Sequence, residues 1–487
     1  MEESVVNTIH KYIHIILWVQ SSGMNTQPGD TIATDYSYSD IVLRRIAFGS
    51  CHSRGAFLKQ KQRMSSDIAN ANNSTIWDTM FMSLQPQTFL WTGDAIYAPA
   101  NIKGDTPLDV LRNEYHQMLH NKTMGYTQFL QEIGGAGGIH GTWDDHDYGG
   151  NDRGHELTEK ENRRNAYLEF LDVPRYSPRW QRDGMYSSIE FGDNDGVVRV
   201  IFLDTRWHRE KYCIPSVAAN RYIPFGSLVA CVTRWFTAAL NLPYILPLWT
   251  ECTENKELLG LKQWTWLEEQ LKESNASMHI IVSSIQVLTT NPIIESWGHF
   301  PSERIRLLKL LNNVPGLVIL SGDVHYAEIA STNTQQQQLT ATNQGGILEI
   351  TSSGLTHSCD EPFYGSLCKP ILDTFSAHHP EKGDNFMDVE SYYTGKNFGS
   401  IDIDWMSKTF HVRVHDVTGN VVLSTRTCDM TAVANMTEKE IVEVLKCIDG
   451  HLLPLLRKTI EFLSGMTVML VIVYLIRRTK KIKSKRD

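Results

Sequence analysis

The sequence predicts an α/β protein in which one domain of two sheets covers about residues 40 to 430. Helical patterns at Leu258 to Leu271 and Ser302 to Leu311 alternate with strand-like runs, which favours a largely parallel sheet. Residues 398 to 427 instead alternate with a period of two around Thr418-Gly419-Asn420, which is the pattern of an antiparallel hairpin. One two-sheet domain accounts for both patterns.

The predicted strands are short apolar runs, rich in β-branched and aromatic residues, and each ends at a Gly, Ser or Asp. In chain order they are Ile41 to Phe48, Thr88 to Trp91, Val197 to Leu203, His279 to Val282, Leu317 to Leu320 and Ile347 to Ile350. Because the runs are apolar without interruption, we expect strands that are buried on both faces.

The composition is that of a globular protein with an acidic body. Of the 487 residues, 41% are hydrophobic and 21% are charged, which argues against disorder as the main state. The net charge is −9, and because residues 477–487 carry +6, residues 1–476 stand at −15. Such a body repels phosphate backbones and its sequence shows no local basic patch, so we do not expect general binding of nucleic acid.

The C-terminal region predicts a membrane anchor. Residues 459–476 are apolar apart from Glu461 and a few small polar residues, and as a helix they reach about 27 Å, enough for a thin bilayer. The basic tail at 477–487 belongs in the cytosol by the positive-inside rule. We therefore expect a single-pass type I membrane protein with a juxtamembrane stalk at 431–458 and a lumenal or extracellular body. A buried C-terminal helix is the alternative.

Other features favour the endoplasmic reticulum or early secretory pathway. The terminal KSKRD resembles a dilysine retrieval signal, and residues 1–23 predict a signal peptide or an uncleaved N-terminal anchor. Eight cysteines predict disulfides, with Cys359 to Cys368, Cys428 to Cys447 and Cys213 to Cys252 as plausible pairs. Five sequons predict a glycoprotein, at Asn72, Asn73, Asn121, Asn275 and Asn435.

An apolar insert at residues 212–249 interrupts the domain. Its residues 223–249 contain three prolines and Arg234 as their one charged residue, and prolines make a spanning helix improbable. We expect either a lid packed on the core or a surface that dips into the interface of the same membrane.

Polar motifs follow almost every predicted strand. In an open α/β sheet the loops at the carboxyl ends of neighbouring strands converge on one crevice, so residues distant in sequence meet there. The motifs are Gly49 to His52, Gly93 to Tyr97, Trp143 to Asp152, Asp204 to Arg206, Ser321 to His325 and Ser352 to His357. A single Gly-Asp at a strand end is usually only a turn, but six such motifs together point to a site.

The residue types at these strand ends suit transition metals. Carboxylates, an imidazole, a thiolate and a phenolate form a mixed hard and soft set, and so many anionic groups do not coexist without cations. Two metal ions are therefore expected. A glycine before each aspartate allows the close backbone approach that a crowded site needs.

Six motifs follow one another along the chain: FGSC ending at Cys51, GDAIY from Gly93, WDDHDYGGND from Trp143, LDTR from Leu203, QWTWLEEQL from Gln263 and SGDVH from Ser321. In this order, over roughly residues 41 to 427, they resemble the alkaline phosphatase D (PhoD-like) family. The resemblance implies the calcineurin-like metallophosphoesterase architecture, a two-sheet sandwich flanked by helices (αββα). It also implies a phosphomonoesterase or phosphodiesterase that uses iron with calcium.

The resemblance also implies roles for individual residues. Cys51 and Tyr97 would hold Fe³⁺, Asp94 would bridge the two ions, Asp323 and His325 would be further ligands, and Asn151 or Asp145 would help the second ion, Ca²⁺ or another divalent metal. His146, beside Asp145, would contact the phosphoryl group or protonate the leaving oxygen. Arg206 would either clamp a phosphate oxygen or form an ion pair with a neighbouring aspartate. Which of Asp144, Asp145, Asp147 and Asn151 coordinates stays open.

The expected reaction is hydrolysis of a phosphate ester by a hydroxide formed on the two metals. The extra insert beside a bilayer favours a lipid-linked substrate, while the choice between monoester and diester, and the oligomeric state, stay open. A catalytically silent lumenal receptor for a phosphorylated or lipid ligand is the alternative function.

Overall fold

The computed structural model describes residues 35–58, 74–100, 105–134, 138–193, 196–214, 229, 232–234, 255–289, 291–332, 346–361, 368–369, 372, 392–425 and 427–444. All of them belong to one unit, Thr34–Asp487. Within these ranges the strands and helices alternate through the first three quarters of the unit, and a run of antiparallel strands follows.

The strands and helices are these. The strands are β1 (Tyr36–Tyr38), β2 (Arg45–Gly49), β3 (Thr88–Thr92), β4 (Ile139–Thr142), β5 (Ser187–Phe191), β6 (Val198–Phe202), β7 (Met278–Val282), β8 (Leu317–Ser321), β9 (Ala327–Ser331), β10 (Leu348–Ser352), β11 (Tyr392–Tyr393), β12 (Asn397–Asp404), β13 (Thr409–Asp416), β14 (Val421–Ser424) and β15 (Cys428–Asp429). The helices are α1 (Ile76–Leu84), α2 (Leu108–His120), α3 (Tyr126–Glu132), α4 (Asp145–Tyr148), α5 (Lys160–Phe170), α6 (Leu261–Lys272), α7 (Pro301–Leu311) and α8 (Glu438–Val444).

Two mixed sheets form the framework. Among the described residues, the first sheet has the order β1-β5-β6-β7-β8-β10-β9-β11, and β6, β7, β8 and β10 run parallel in it. The second sheet has the order β14-β13-β12-β2-β3-β4, with β2, β3 and β4 parallel and the later strands antiparallel. The parallel strands bring the carboxyl ends of seven strands to one edge of the sandwich, where the motif loops begin.

The core between the sheets is built from alternate residues of the strands. Leu90 faces the other sheet, where it packs in one cluster with Ile280 and Leu320, whereas its neighbours Phe89 and Trp91 face the opposite way. This alternation is the period of two that a strand imposes. A strand buried on both faces therefore needs an unbroken apolar run, as the sequence predicts.

Helices cover the outer face of each sheet. Trp77 of α1 packs with Phe89 and Trp91 on the second sheet, together with side chains of α2, α3 and α5. Trp264 of α6 and Leu307 of α7 pack on the outer face of the first sheet. The layer order is helix, sheet, sheet, helix, which confirms the predicted two-sheet α/β fold.

Each predicted strand corresponds to an observed one, and the predicted hairpin is present. The turn Thr418-Gly419-Asn420 joins β13 to β14, and Gly419 has a φ of 87°, which glycine adopts without strain. The sequence did not predict α1, α2, α3 and α5, nor the strands β4, β5 and β9.

The domain extends beyond the predicted limits of 40 and 430. At its start, the backbone N–H of Asp35 donates to the carbonyl oxygen of Ser188 at 3.0 Å. At its end, Asn313 N–H donates to the carbonyl oxygen of Ala434 at 2.8 Å, and Ile441 is buried among the side chains beside α7. The first part of the segment predicted as a stalk therefore packs on the domain.

Several predicted segments lie outside the described residues. They are 1–23, 445–458 of the stalk, the membrane span 459–476, the tail 477–487 and most of the insert 212–249. None of the helices within the described ranges has the length and hydropathy to cross a membrane. The predicted disulfide between Cys359 and Cys368 is present.

Candidate metal centre

The two sheets are joined where the site begins. Ser50, after β2, forms a parallel bridge with Ser353, after β10. Leu355 N–H donates to the carbonyl oxygen of Ser50 at 3.1 Å, and Thr356 N–H donates to that of Cys51 at 3.3 Å. The loops that follow strands of different sheets are therefore held against each other, and predicted ligands separated by nearly three hundred positions meet.

Four predicted ligands form one group. The Sγ atom of Cys51 lies 3.6 Å from Oδ2 of Asp94, and Tyr97 OH donates to the same oxygen at 2.6 Å. Tyr97 OH also lies 3.0 Å from Nε2 of His325. One thiol, one phenol, one imidazole and one carboxyl group thus converge, as the sequence predicts.

A second group of carboxylates adjoins the first. Asp94, Asp144, Asp145 and Asp323 each place an oxygen within 4.8 Å of the others. Asp94 belongs to both groups: its Oδ2 faces Cys51 and Tyr97, whereas its Oδ1 accepts the backbone N–H of His146 at 3.3 Å. Asp94 is therefore positioned between two sets of donors.

The loops hold these ligands in a backbone conformation that costs energy. Cys51, Asp94, Asp323 and His325 have φ values of 63°, 52°, 72° and 61°, in the left-handed region that non-glycine residues seldom adopt. Such strain concentrates at functional sites and costs about 1 to 3 kcal/mol for each residue. The tight packing is also visible at Gly93, where a Cβ atom would lie 2.6 Å from Cβ of Asp144.

The aspartates of the WDDHDY motif have different tasks. Asp147 accepts backbone N–H bonds from Ala95, Ile96 and Asp144 at 3.1 to 3.3 Å, so its carboxylate fixes the loop after β3. Asp144 and Asp145, in contrast, each keep one buried oxygen without a hydrogen-bond partner among the described residues, Oδ2 and Oδ1 respectively. Asp144 and Asp145 are therefore the better candidates for ligands.

Arg206 lies in a buried ionic network. Its Nε donates to Oδ1 of Asp144 at 2.6 Å and its Nη1 to Oε1 of Glu295 at 2.6 Å, and its side chain is 0% exposed. Tyr212 OH donates to Glu295, and Arg209 lies 3.9 Å from it. Of the two predicted roles for Arg206, the geometry favours the ion pair, because a guanidinium enclosed on all sides has no surface to offer a substrate.

The sequence did not identify a third acidic group. Asp145, Asp152 and Glu295 place oxygens within 4.8 Å of one another, and Asp152 N–H donates to Oδ2 of Asp145 at 2.7 Å. Glu295 does not lie in a recognisable motif, and it is separated by 89 positions in the sequence from Arg206, which it contacts. Asn151 is half-buried and directly precedes Asp152, and its role as a ligand stays a prediction.

Two further histidines lie beside the first group of predicted ligands. The ring of His146 packs against that of Tyr97 with 4.0 Å between centroids and a tilt of 33°, and its side chain is 22% exposed. His357 Nε2 lies 3.2 Å from His325 Nε2, and its ring meets Tyr97 edge-on at 4.7 Å. The motif SSGLTH contains His357, but the sequence assigned it no role.

The electrostatics of the site fit bound cations. Burial, then repulsion from Asp145 and Cys51, holds the pKa of Asp94 well above its usual value, and burial with neighbouring acids does the same to the pKa of Asp323. Burial raises the pKa of Cys51 to about 11 and that of Asp144 to about 7, although Arg206 opposes the latter. So many acids with partnerless buried oxygens need positive charge nearby, and the donor types fit a transition metal beside a harder cation.

Comparison with known proteins identifies a family and similar solved structures. A model of the family described as PhoD-like phosphatase matches residues 64–414, a range that includes all the residues of the groups above except Cys51. The solved structure of PhoD is similar at 16% sequence identity and a TM-score of 0.42, over 84% of this chain and 77% of that one. None of the curated proteins is similar enough to count as a match.

Proposed function

The chain belongs to the PhoD-like phosphatase family and is a metal-dependent phosphoesterase; on that premise, we propose that it hydrolyses phosphate esters with two metal ions on the lumenal side of a membrane. The observation that carries the two-ion proposal is the position of Asp94, which belongs both to the group with Cys51 and His325 and to the group with Asp144, Asp145 and Asp323. One carboxylate shared in this way is the arrangement that a pair of ions requires.

The donor types suggest which ion each set takes. Cys51, Tyr97 and His325 offer sulfur, phenolate and imidazole, which suit Fe³⁺, whereas Asp144, Asp145 and Asp323 offer only carboxylates, which suit Ca²⁺ or another hard divalent ion. When bound, such ions lower the pKa of water toward neutrality and stabilise the charge that develops on phosphoryl oxygens.

The chain itself supplies orientation and a proton. Arg206 and the hydroxyl of Ser284 both donate to Oδ1 of Asp144, at 2.6 Å each, so Oδ2 is the oxygen left to face a cation. The backbone N–H of His146 donates to Asp94, its ring packs against Tyr97, and its side chain is 22% exposed. We infer that His146 protonates the leaving oxygen, a step typically worth 10²- to 10⁴-fold in rate.

Turnover by the purified full chain tests the hydrolase. We expect metal-dependent hydrolysis of p-nitrophenyl phosphate or its bis-ester, and elemental analysis should find iron together with a second metal. The variant Asp94→Asn should abolish turnover, whereas Asp109→Asn, at an exposed position of α2, should not change it. A folded wild-type chain that hydrolyses neither ester with any metal would refute the proposal and favour a silent receptor.

We further propose that residues 459–476 anchor the enzyme in an early secretory membrane, with the domain in the lumen. The apolar stretch, the basic tail and the exposed sequons at Asn275 and Asn435 support this. Glycosidase treatment should increase the mobility of the wild-type chain, and the change should be smaller for Asn275→Gln/Asn435→Gln. A chain that carries no glycan and washes off membranes at high pH would contradict the proposal.

The insert supports a lipid-linked phosphate as substrate. Arg234 of the insert donates to the carbonyl oxygens of Ile214 and Ile293, at 3.0 and 2.9 Å, so it is attached to the segment that carries Glu295. Val229→Asp/Val232→Asp, at insert positions that are 61% and 51% exposed, keeps Arg234 and should reduce hydrolysis of a vesicle-borne phospholipid phosphate while sparing p-nitrophenyl phosphate. Equal loss on both substrates would contradict this assignment.

A further inference from the structure

Ser353 connects three loops of the metal centre. It follows β10, its backbone forms the parallel bridge to Ser50, and its side chain is fully buried. Its Oγ lies 3.0 Å from Sγ of Cys51 and accepts the backbone N–H of His325 at 2.9 Å. The hydroxyl therefore contacts the sulfur donor and the loop of the imidazole donor at the same time.

The direction of the bond to sulfur follows from the donors available. The amide of His325 is a fixed donor, so the Ser353 oxygen accepts there and its own hydrogen is free to point elsewhere. A cysteine that binds a metal is a thiolate, which has no hydrogen and only accepts. With Cys51 as thiolate, the 3.0 Å contact is a hydrogen bond from Ser353 O–H to Sγ.

We propose that Ser353 is a positioning residue that orients the thiolate of Cys51 and reduces the electron density that this thiolate donates to its metal. This inference rests on the proposed function of the site. A hydrogen bond to a metal-bound sulfur withdraws electron density from it, so the ion keeps more of its positive charge. The same bond fixes the direction of the sulfur relative to His325. Ser353 thereby supports the donor set without touching the substrate.

Removing the hydroxyl should change the spectrum of a metal bound to Cys51. We would titrate Co²⁺ into the chelator-treated full chain and record the thiolate-to-cobalt charge-transfer band, which Cys51→Ser should abolish. In Ser353→Ala the sulfur donates more strongly, so the band should move to longer wavelength. Ser352→Ala is the matched control, because that serine is also buried but donates to Oδ1 of Asn397 at 2.9 Å, away from the sulfur.

A second pair of variants distinguishes the effect of the hydroxyl group from the effect of side-chain shape. Ser353→Thr keeps the donor and Ser353→Val replaces it with a methyl group of similar size, so only the valine variant should show the shift. A band at the same position in the threonine and valine variants, or in Ser353→Ala and wild type, would overturn the inference. If the wild type still hydrolyses p-nitrophenyl phosphate in that case, only this inference fails, and the proposed function stands.

Discussion

Loss of the Arg206 guanidinium should destabilise the whole domain. The side chain is 0% exposed and pairs with Asp144 and Glu295, which are also buried. Its replacement by methionine leaves the buried Asp144 without its cation and leaves Glu295 with only the more distant Arg209, at 3.9 Å. Breaking a buried ion pair from one side costs about 3 to 5 kcal/mol.

The expected shift in melting temperature follows from the size of the domain. A domain of about 400 residues unfolds with an entropy of about 0.8 kcal/mol/K, at about 2.1 cal/mol/K for each residue. Arg206→Met should therefore lower Tm by about 4 to 6 °C. Differential scanning calorimetry of the chelator-treated chain measures this without interference from bound metal.

An exposed ion pair provides the matched control. Lys262 pairs with Asp183 at 2.6 Å, and the two side chains are 73% and 44% exposed. Such pairs contribute about 0 to 1 kcal/mol, so Lys262→Met should lower Tm by about 1 °C or less. Adding Asp144→Asn to Arg206→Met removes the uncompensated charge and should restore part of the loss. If Arg206→Met melts no lower than Lys262→Met, the network is not structural, and the phosphate-clamp role of Arg206 regains support.

Three further predictions concern the charges and the disulfide of the site. In Asp94→Asn the metal-free chain should melt no lower than wild type, because the repulsion among buried acids falls, but added metal should no longer raise Tm. Burial raises the pKa of Asp144 to about 7 and that of Asp147 to about 8, so these two groups bind more protons in the folded state than in the unfolded state between about pH 4 and 8. Burial lowers the pKa of His52, His299 and His325, which has the opposite effect on stability below about pH 6.5. Tm with chelator present should therefore fall as the pH rises from about 6.5 to 8, and a Tm that rises there would refute the assignment. Cys359→Ser/Cys368→Ser opens a loop with a sequence separation of 9, which should cost about 2 to 3 kcal/mol, and an unchanged unfolding midpoint in urea would contradict this.

The strands and their loops could be predicted because their signals are local. A strand buried on both faces must be apolar without interruption, and a ligand at its end needs a specific residue type within a few positions. Cys51, Asp94, Tyr97 and His325 all satisfy this condition, and the structure brings them together.

The helices between residues 76 and 170 and the ionic network could not be predicted in the same way. In α5, Arg163 is buried and donates to the carbonyl oxygen of Thr106 at 2.8 Å, so a charged residue stands where a helical pattern needs an apolar one. Glu295 meets Arg206 only through the fold, and no spacing in the sequence relates them. Such contacts depend on tertiary structure, and composition or periodicity does not encode them.

The left-handed backbone at Cys51 and His325 has a consequence for laboratory evolution. Glycine and asparagine accept this conformation at lower cost than cysteine and histidine do. In a screen that selects for heat resistance alone, such replacements should accumulate at these two positions and yield proteins that are more thermally stable but inactive. A screen that also rewards hydrolysis should retain both residues and gain its heat resistance elsewhere.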